Sequence, residues 1–465
     1  MPDVRYHIAG GLAPEQLGQV HRAALRVVEE IGVEVTHPEM LQAIAGEAGV
    51  RVNGTRVRLN PELVDHVAAD YRRKAGVAPP EPDRFTIQIL SGYAFQVLDV
   101  LTDELRPMST SDCIATAKLV DTLHEAGVMG GTPGLPQDVP VRLREILAYK
   151  IGCEYSRTCG RGDFTSVEAG DFIYRMAQAA GKPFALPVFV LSPLRIEGNS
   201  VAMALDYGRR RPPVPITVHG MPLLGVTTPF WLAGAFVEHV ATVLAAVTCF
   251  RLMGLKDNVD FYFYVFPFGL KYGTTAYGTP DHILSYLVGT QINRYYGRWG
   301  SSCQAFHTNA IFPDAHSVAQ RAAFAALAAL NGARSFHFGG MLGIDKVFSA
   351  EQLLIDVEIV EYLRWLVRGV RFDEETLSFA ALKEVGPGGT FIIHPATVAN
   401  CRNTWASELF PDLSPEQWSA GPRYMLKDRT RQRAKRLLEG YDFQLDPHVK
   451  RELDDLYEAA ARQLA

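Results

Sequence analysis

The chain has 465 residues, 48% of them hydrophobic and 21% charged, which is typical of a globular protein with a large core. The formal net charge is −5, so the basic excess that marks nucleic-acid binders is absent. The six cysteines are scattered without a CxxC pair, which excludes a disulfide framework and fits a reducing cytoplasm. No zinc-ligand spacing is visible, and we predict no metal site.

Membrane segments are not expected. The first ten residues lack the apolar stretch of a signal peptide. The longest apolar run, 230–255, is interrupted by Glu238 and Arg251, which a membrane span rarely tolerates. We therefore expect a cytoplasmic protein in which this run forms a buried helix.

Residues 1–105 are predicted to form a small α+β extension. Apolar residues recur at helical spacing over 15–31, and Gly32 ends the pattern. The dipeptide Asn53-Gly54 lies between two short runs rich in Val and Arg, which predicts a two-residue hairpin.

Residues 106–400 alternate short β-rich or Gly-rich runs with longer helical stretches. The candidate strands are 127–132, 156–161, 184–191, 214–219, 260–266, 300–305, 334–338 and 390–394. Repeated β–α units predict a parallel sheet, and about eight of them favour closure into a (β/α)8 TIM-type barrel. An open doubly wound sheet is the alternative, although no GxGxxG follows the first strand. Residues 401–465 predict a helical tail, which could wrap the barrel or pack on a neighbouring subunit in a homo-oligomer.

Four histidines lie at or near the ends of candidate strands, where a barrel places its functional side chains. They are His219, His307, His337 and His394. A lone histidine is usually structural, but the position of His219 at a strand end leaves a binding role equally open. Four histidines could also hold a metal ion, yet no HxH or HxxxH spacing supports one.

The segment 260–269 reads DFYFYVFPFG and is rich in aromatic residues on both faces of a strand. Tyr262, Tyr264, Phe266 and Phe268 share one face by the period of two. Core packing explains such rings in a buried parallel strand. Phe266 and Phe268 lie nearest the predicted mouth, and their ring faces could instead attract a quaternary ammonium ion.

Three polar residues lie in predicted loops. Gln137, in the loop 134–140, could reach over the mouth. Asp314 precedes a helix and is readily explained as its cap, whereas capping accounts less well for Asn309. We predict as catalytic residues His307, Asn309 and His337. We predict as substrate-binding residues Gln137, His219, Phe266, Phe268, Asp314 and His394.

The blocks TNAIFPDAHSVAQ, GARSFHFGGMLG and SAEQLLIDVEIVEYLRWLVRG, within 308–369, resemble the trimethylamine methyltransferase family. The likeness is to its branch without pyrrolysine, typified by glycine betaine–corrinoid protein methyltransferase. Shorter matches such as HRAALRVVEEIGVEV and GVTTPFWLAGAFV extend it over nearly the whole chain. The chain departs from the family's pattern at Asn309, Ile311, His316 and Gln320, where the family carries a carboxylate, a lysine, a glutamine and a glutamate.

This resemblance implies a barrel that binds a small methylated amine in its mouth. A separate corrinoid protein would carry the cofactor, present Co(I) and take the methyl group as methylcobalamin. A quaternary amine leaves as a neutral tertiary amine, so no general acid is needed. The site must hold the cation, align the methyl carbon and exclude water.

Two other functions stay open on the sequence. A diverged barrel could use its histidines for acid–base chemistry on another small molecule, and would then have a closed polar pocket with a paired His and Asp. A non-catalytic binder of ammonium compounds would keep the aromatic rings without transferring a methyl group.

Overall fold

The computed structural model describes the chain except for residues 1–3, 77–81, 83, 100, 101, 161, 163, 198, 211, 212, 422–424 and 465. Its strands are, in chain order, β1 (Val33–Val35), β2 (Val50–Asn53), β3 (Arg56–Leu59), β4 (Thr86–Ile89), β5 (Gln96–Leu98), β6 (Leu105–Pro107), β7 (Val128–Gly130), β8 (Leu186–Val190), β9 (Arg195–Ile196), β10 (Ile216–Gly220), β11 (Val259–Phe261), β12 (Phe268–Gly269), β13 (Thr274–Thr275), β14 (Ser302–Cys303), β15 (Ser335–His337), β16 (Met341–Leu342) and β17 (Val347–Phe348).

Its helices are α1 (Pro14–Arg26), α2 (Pro38–Ile44), α3 (Pro61–Ala75), α4 (Thr110–Thr122), α5 (Arg144–Tyr155), α6 (Val167–Ala179), α7 (Asn199–Arg209), α8 (Leu232–Leu252), α9 (Pro280–Tyr295), α10 (Ala315–Leu330), α11 (Ala350–Val367), α12 (Phe379–Val385), α13 (Pro395–Asn400), α14 (Pro415–Ala420), α15 (Leu426–Glu439) and α16 (Pro447–Leu464).

Two parallel sheets form the centre of the protein. One has the order β14-β15-β4-β7, and the other has the order β11-β10-β8. Helices α4 and α7 to α10, together with the pair α5–α6, connect successive strands, so each connection returns the chain to the amino edge of the next strand. The prediction of a mixed α/β protein built from parallel β–α units is therefore confirmed.

Side chains on the parallel strands alternate between two environments. In β10, Ile216 and Val218 are buried, whereas Thr217 and His219 are partly exposed. Strand β8 shows the same alternation. Because helices such as α8 and α7 pack on one face of this sheet, the other face is left to line an open space.

Helix starts in this region are set by local capping. The side chains of Ser109, Ser166, Thr279, Asp314 and Ser349 each accept a hydrogen bond from a backbone N–H in the first turn of the helix that follows. The interpretation of Asp314 as a cap is confirmed, since its carboxylate accepts from His316 N at 2.9 Å.

The structure differs from two of the eight candidate strands. The segment 390–394 is not a strand but leads into α13, and its apolar side chains are exposed. Residues 156–160 carry no strand either, and Arg161 lies outside the described residues. The parallel strand that the sequence analysis missed is β4, inside the range 1–105, because its alternation of Thr86 and Gln88 with isoleucines resembles that of a peripheral strand.

The N-terminal part packs on the body through α1 and α3, which contact α8. The predicted hairpin at Asn53-Gly54 is confirmed as the antiparallel pair β2–β3, and Gly54 adopts a left-handed φ of 59°. Among the described helices, α8 is long and apolar enough to cross a membrane, but most of it is buried inside the protein. The prediction of a buried helix at 230–255 is thus confirmed.

Candidate functional site

A cavity of about 350 Å³ is lined by the face of the parallel strands that the helices leave uncovered. Its wall also includes residues just beyond the carboxyl ends of the strands, among them Tyr93, Phe266 and Phe338. Strands β11 and β14 are not paired with each other, and the cavity reaches through this gap to the polar side chains of Ser285 and Asn293 on α9. Such a position, at the carboxyl ends of parallel strands, is the usual one for a ligand site in an α/β protein.

Strand register arranges the wall in layers. Thr217 lies opposite Pro187 on one side and Asp260 on the other, and His219 lies opposite Phe189 two residues further on. Side chains two residues apart on one face are separated by about 6.6 Å. Asp260 therefore belongs to a lower layer, farther from the mouth than Phe189 and His219.

Aromatic rings make up much of the wall above that lower layer. The ring of Phe189 meets His219 edge to face at 4.5 Å between centroids, and Tyr264 lies 6.4 Å from the same imidazole. Tyr262 stacks on Tyr264 at 6.3 Å. Their ring faces give this part of the cavity a negative potential without a formal charge.

A charged pair lies in the lower layer. Arg298 forms an ion pair with Asp260, and its guanidinium lies 5.7 Å from the ring centroid of Tyr262. Burial raises the pKa of Asp260 above its usual value, while Arg298 acts in the opposite direction. Within the described part of the chain, the Nε of Arg298 is buried and has no hydrogen-bond partner. The arginine thus retains a donor for a further acceptor.

His307 lies one ring behind the cavity wall. Its imidazole is 3.8 Å from the ring centroid of Phe338 and 4.2 Å from that of Tyr277. Its Nδ1 is 2.7 Å from Asp345 Oδ2, and both residues are buried. Phe338 and Asp345 have left-handed φ values of 71° and 61°, which cost free energy in residues other than glycine. The stack therefore holds Phe338, which lines the cavity, in an otherwise unfavourable backbone conformation.

A second buried imidazole, His282, also contributes to the wall. Its ring lies 5.7 Å from Phe266 and 5.9 Å from His307. Burial lowers the pKa of His282 well below its ordinary value, so this imidazole is neutral at physiological pH. Its Nδ1 accepts a hydrogen bond from the N–H of Gly278 at 3.2 Å. The sequence pattern around His282 did not indicate a site residue, because His282 lies within the helical pattern of α9.

The structure brings together three of the residues predicted from the sequence. His219, Phe266 and His337 line one cavity, and His307 contacts the ring of Phe266 edge to face at 6.2 Å. Asn309 lies outside the wall, and its amide accepts from Tyr277 N at 2.7 Å and donates to Thr275 O at 2.8 Å. Asn309 thereby fixes the loop that carries Tyr277.

The other predicted residues also lie away from this cavity. The side chain of Gln137 is held by Arg144 at 2.6 Å and by the carbonyl of Leu135 at 2.7 Å. Phe268 is half-buried in β12, and Asp314 caps α10. His394 begins α13, in a segment without buried residues.

Among the residues that the structure describes, no group of three His, Cys, Asp or Glu side chains is placed to hold a metal ion.

Several wall residues were not predicted from the sequence, including Tyr93, Phe189, Asp260, Arg298 and Phe338. Some of these residues could have been predicted from the alternation of side chains along each strand. Residues two apart on one strand face the same side, so the choice of His219 also implies Thr217, and by register Phe189 and Asp260.

Comparisons with known proteins agree with the resemblance noted above. The glycine betaine methyltransferase of Desulfitobacterium hafniense (strain Y51) is 24% identical to this chain and is covered over 95% of both sequences. The trimethylamine methyltransferase MttB of D. hafniense (strain DSM 10664 / DCB-2) is 25% identical, over 93% of this chain and 90% of that one.

The MttB of Methanosarcina thermophila is 30% identical over 46% of this chain and 44% of its own length. Among solved structures, the monomethylamine methyltransferase MtmB of Methanosarcina barkeri aligns with 93% of this chain and 89% of its own, at 12% identity and a TM-score of 0.49. The sequence model of the trimethylamine methyltransferase (MTTB) family matches residues 4–464, and the chain therefore belongs to that family.

Proposed function

We propose that this protein is a methyltransferase that moves a methyl group from a quaternary or otherwise methylated amine to the Co(I) corrinoid of a partner protein. The observation that carries the proposal is the layered cavity, in which aromatic rings lie nearer the mouth than a partly buried Arg–Asp pair. Membership of the MTTB family supports the reaction class.

The ammonium group is bound by the aromatic layer in this proposal. Phe189, Tyr262 and Tyr264 present rings on one side, and Phe338 lines the cavity with them. A quaternary nitrogen cannot donate a hydrogen bond, so ring faces are well suited to replace its water shell. His219 and His337 complete this layer with the faces and edges of their rings.

Arg298 gives the cavity a second subsite, which binds an anion. This subsite suits the carboxylate of a betaine such as glycine betaine, which the name of one relative mentions. The unpartnered Nε of Arg298 can donate to a carboxylate, with Asp260 holding the other side of the guanidinium. The carboxylate then lies deep and the methylated nitrogen faces the mouth. That orientation exposes the methyl carbon to an acceptor arriving from outside.

The chain's own residues act by binding, alignment and exclusion of water. Because the amine departs as a neutral molecule, no residue has to protonate it. The corrinoid on the partner protein supplies the nucleophile. In this proposal His307 acts as a positioning residue for Phe338, and Asn309 positions the loop carrying Tyr277.

The mouth carries apolar side chains suited to a protein partner. Phe230 and Trp231 in the loop after β10 are exposed, as are Leu270 and Tyr272 after β11. Exposed aromatic and aliphatic groups of this kind mark docking sites. Their place beside the cavity favours the corrinoid protein as the occupant, since the methyl group must leave through this mouth.

We further propose that the two parallel sheets are the halves of one (β/α)8 barrel. In support, β15 pairs with β4, so that the last parallel strand lies beside the first. The segment after α5 occupies the position of the missing strand, and its Ser156 Oγ donates to Gly130 O at 2.6 Å.

All six cysteines are free thiols, which supports a cytoplasmic location.

Acid–base catalysis on another substrate is less well supported. The buried pair of His307 and Asp345 is of the kind such chemistry needs, but Tyr277 and Phe338 cover the two faces of the imidazole. His307 is not part of the cavity wall. The pair is therefore better placed to hold Phe338 than to exchange a proton with a ligand.

Methyl transfer can be tested with the full-length protein, Co(I) cobalamin and a panel of methylated amines, including glycine betaine. We expect the visible spectrum of methylcobalamin to develop with a quaternary amine. The spectrum should not develop with 3,3-dimethylbutyrate, in which a neutral carbon replaces the quaternary nitrogen of glycine betaine. This compound cannot lose a methyl group to cobalt. A folded protein that binds the amine by calorimetry but never methylates cobalamin would instead be a binding protein.

A further inference from the structure

Residues 371–404, here called the arm, lie outside the packed body of the protein. The whole arm is described by the structure, and none of its residues is buried, including those of α12 and α13. The arm begins where Gly369 turns the chain after α11. A side chain at Gly369 would collide with the carbonyl of Val4, and its φ of 79° favours glycine.

The arm is apolar for a segment so exposed. Phe379, Ile392 and Ile393 are 73%, 75% and 78% exposed. The other large apolar side chains of the arm that are exposed are Phe372, Leu377, Leu382, Phe391 and Val398. At ~180 Å² for each whole side chain, this set leaves on the order of 900 Å² of apolar surface in water. Exposed apolar side chains in this number on one segment are typical of an interaction surface.

The root of the arm lies at the amino edge of the parallel strands. Arg364, in the last turn of α11, donates to Ala126 O at 2.7 Å and to Phe85 O at 3.3 Å, just before β7 and β4 begin. The arm returns to the body at the same end, where Trp405 packs against Tyr362 of α11. Helix α11 has 18 residues, so about 27 Å separate this end from the cavity mouth.

This position decides between two kinds of partner. A protein that accepts the methyl group must dock at the mouth, at the carboxyl edge of the strands. The arm begins and ends at the opposite edge, so its attachment to the body lies about 27 Å from that interface. A second copy of the chain, in contrast, offers the same unburied apolar surface in return, as a two-fold interface requires.

We propose that the arm is a dimerisation element, which packs on the arm of a second copy and on the adjacent exposed face of α11, at Tyr362 and Leu366. A standard protein interface removes about 800 Å² from each partner, which the apolar surface of the arm alone can supply. The pairing leaves both cavity mouths free for the corrinoid protein.

The test is the mass of the full-length protein by light scattering during gel filtration. The wild type is expected at twice 51.3 kDa or a higher multiple. The variant Ile392→Asp/Ile393→Asp is expected at the monomer mass, with unchanged binding of tetramethylammonium by calorimetry. The matched control is Val141→Asp, which adds charge at a site 71% exposed beyond β7 and should keep the wild-type mass.

Hydrogen exchange on the wild type gives a second measurement that needs no variant. Amides of residues 371–404 should be protected at high protein concentration and lose protection on dilution. A monomeric wild type at ~100 μM, or an oligomer whose mass the double substitution leaves unchanged, would overturn the proposal. It would equally fail if the substitution abolished binding to a corrinoid protein while the oligomer persisted.

Discussion

The imidazole of His307 lies against the ring of Phe338 with 3.8 Å between their centroids, and only the second of these rings reaches the cavity. The contact connects a buried His–Asp pair to the surface that would meet a ligand. Phe338 needs this support because its φ of 71° is unfavourable for a residue with a side chain.

His307→Ala is expected to lower the free energy of unfolding by about 3–5 kcal/mol, because it empties a ring-sized volume in the core. It should also weaken binding of a quaternary amine, since Phe338 loses its support. His307→Phe keeps a ring in place and should retain most of the affinity. Urea denaturation and calorimetry measure the two effects, with the exposed His66→Ala on α3 as a control that changes neither. Equal affinity in all three variants would show that the stack does not position Phe338.

Tyr264→Leu should weaken the binding of glycine betaine by about 0.5–2 kcal/mol, because it removes one ring face from the cation. The matched ligand is 3,3-dimethylbutyrate, which has the same shape and carboxylate but a neutral head. Calorimetry should find its affinity nearly unchanged in the variant. If both ligands lost affinity equally, Tyr264 would act through shape and not through attraction to the charge. The same comparison applies to Phe266→Ala.

Arg298→Gln should separate betaines from amines that lack a carboxylate. The variant is expected to lose about 1.5–3 kcal/mol of affinity for glycine betaine, the value of a hydrogen bond to a charged group. Tetramethylammonium, which has no carboxylate, should bind the variant about as well as the wild type.

The control for Arg298→Gln is the double variant Asp260→Asn/Arg298→Gln, which leaves no unpaired carboxylate in the cavity. It should recover the stability lost by the single change but not the affinity for the betaine. An unchanged preference for the betaine in the double variant would remove Arg298 from the proposed subsite.

Glu238 on α8 provides a pH-dependent test of stability. Its carboxylate is buried and accepts hydrogen bonds from Leu194 N at 2.9 Å, Ser192 Oγ at 3.0 Å and Thr242 Oγ1 at 2.9 Å. Burial nevertheless raises its pKa above the ordinary value. Folding therefore favours the protonated form, a contribution that is full below the unfolded pKa and is lost as pH rises through the folded one.

Glu238→Gln keeps a carbonyl acceptor and avoids the buried charge. The variant should match the wild type at pH 4 and be more stable at pH 8, by on the order of 1 kcal/mol. Denaturant unfolding at both pH values measures the difference, with the exposed Glu374→Gln as a control. A variant that is less stable than the wild type at pH 8 would mean that the ionised carboxylate is the favoured form.

The local pattern of the sequence determined the β–α alternation, the hairpin at Asn53-Gly54 and the cap at Asp314. Each depends on residues within a few positions, through side-chain periodicity, turn preference or capping. The same reasoning placed Tyr262 and Tyr264 on one face of a strand, and both side chains line the cavity.

Only the tertiary structure decided which of those elements meet. The segment 390–394 (Thr-Phe-Ile-Ile-His) has the composition of a buried strand yet remains exposed. Strand β4, which alternates polar and apolar residues, lies between β15 and β7. Likewise His219 and His337 line one cavity, whereas the ring of Phe338 separates His307 from it. His394 lies in the arm. Pairing between strands far apart in sequence is set by the burial of the whole assembly, and no local pattern contains that information.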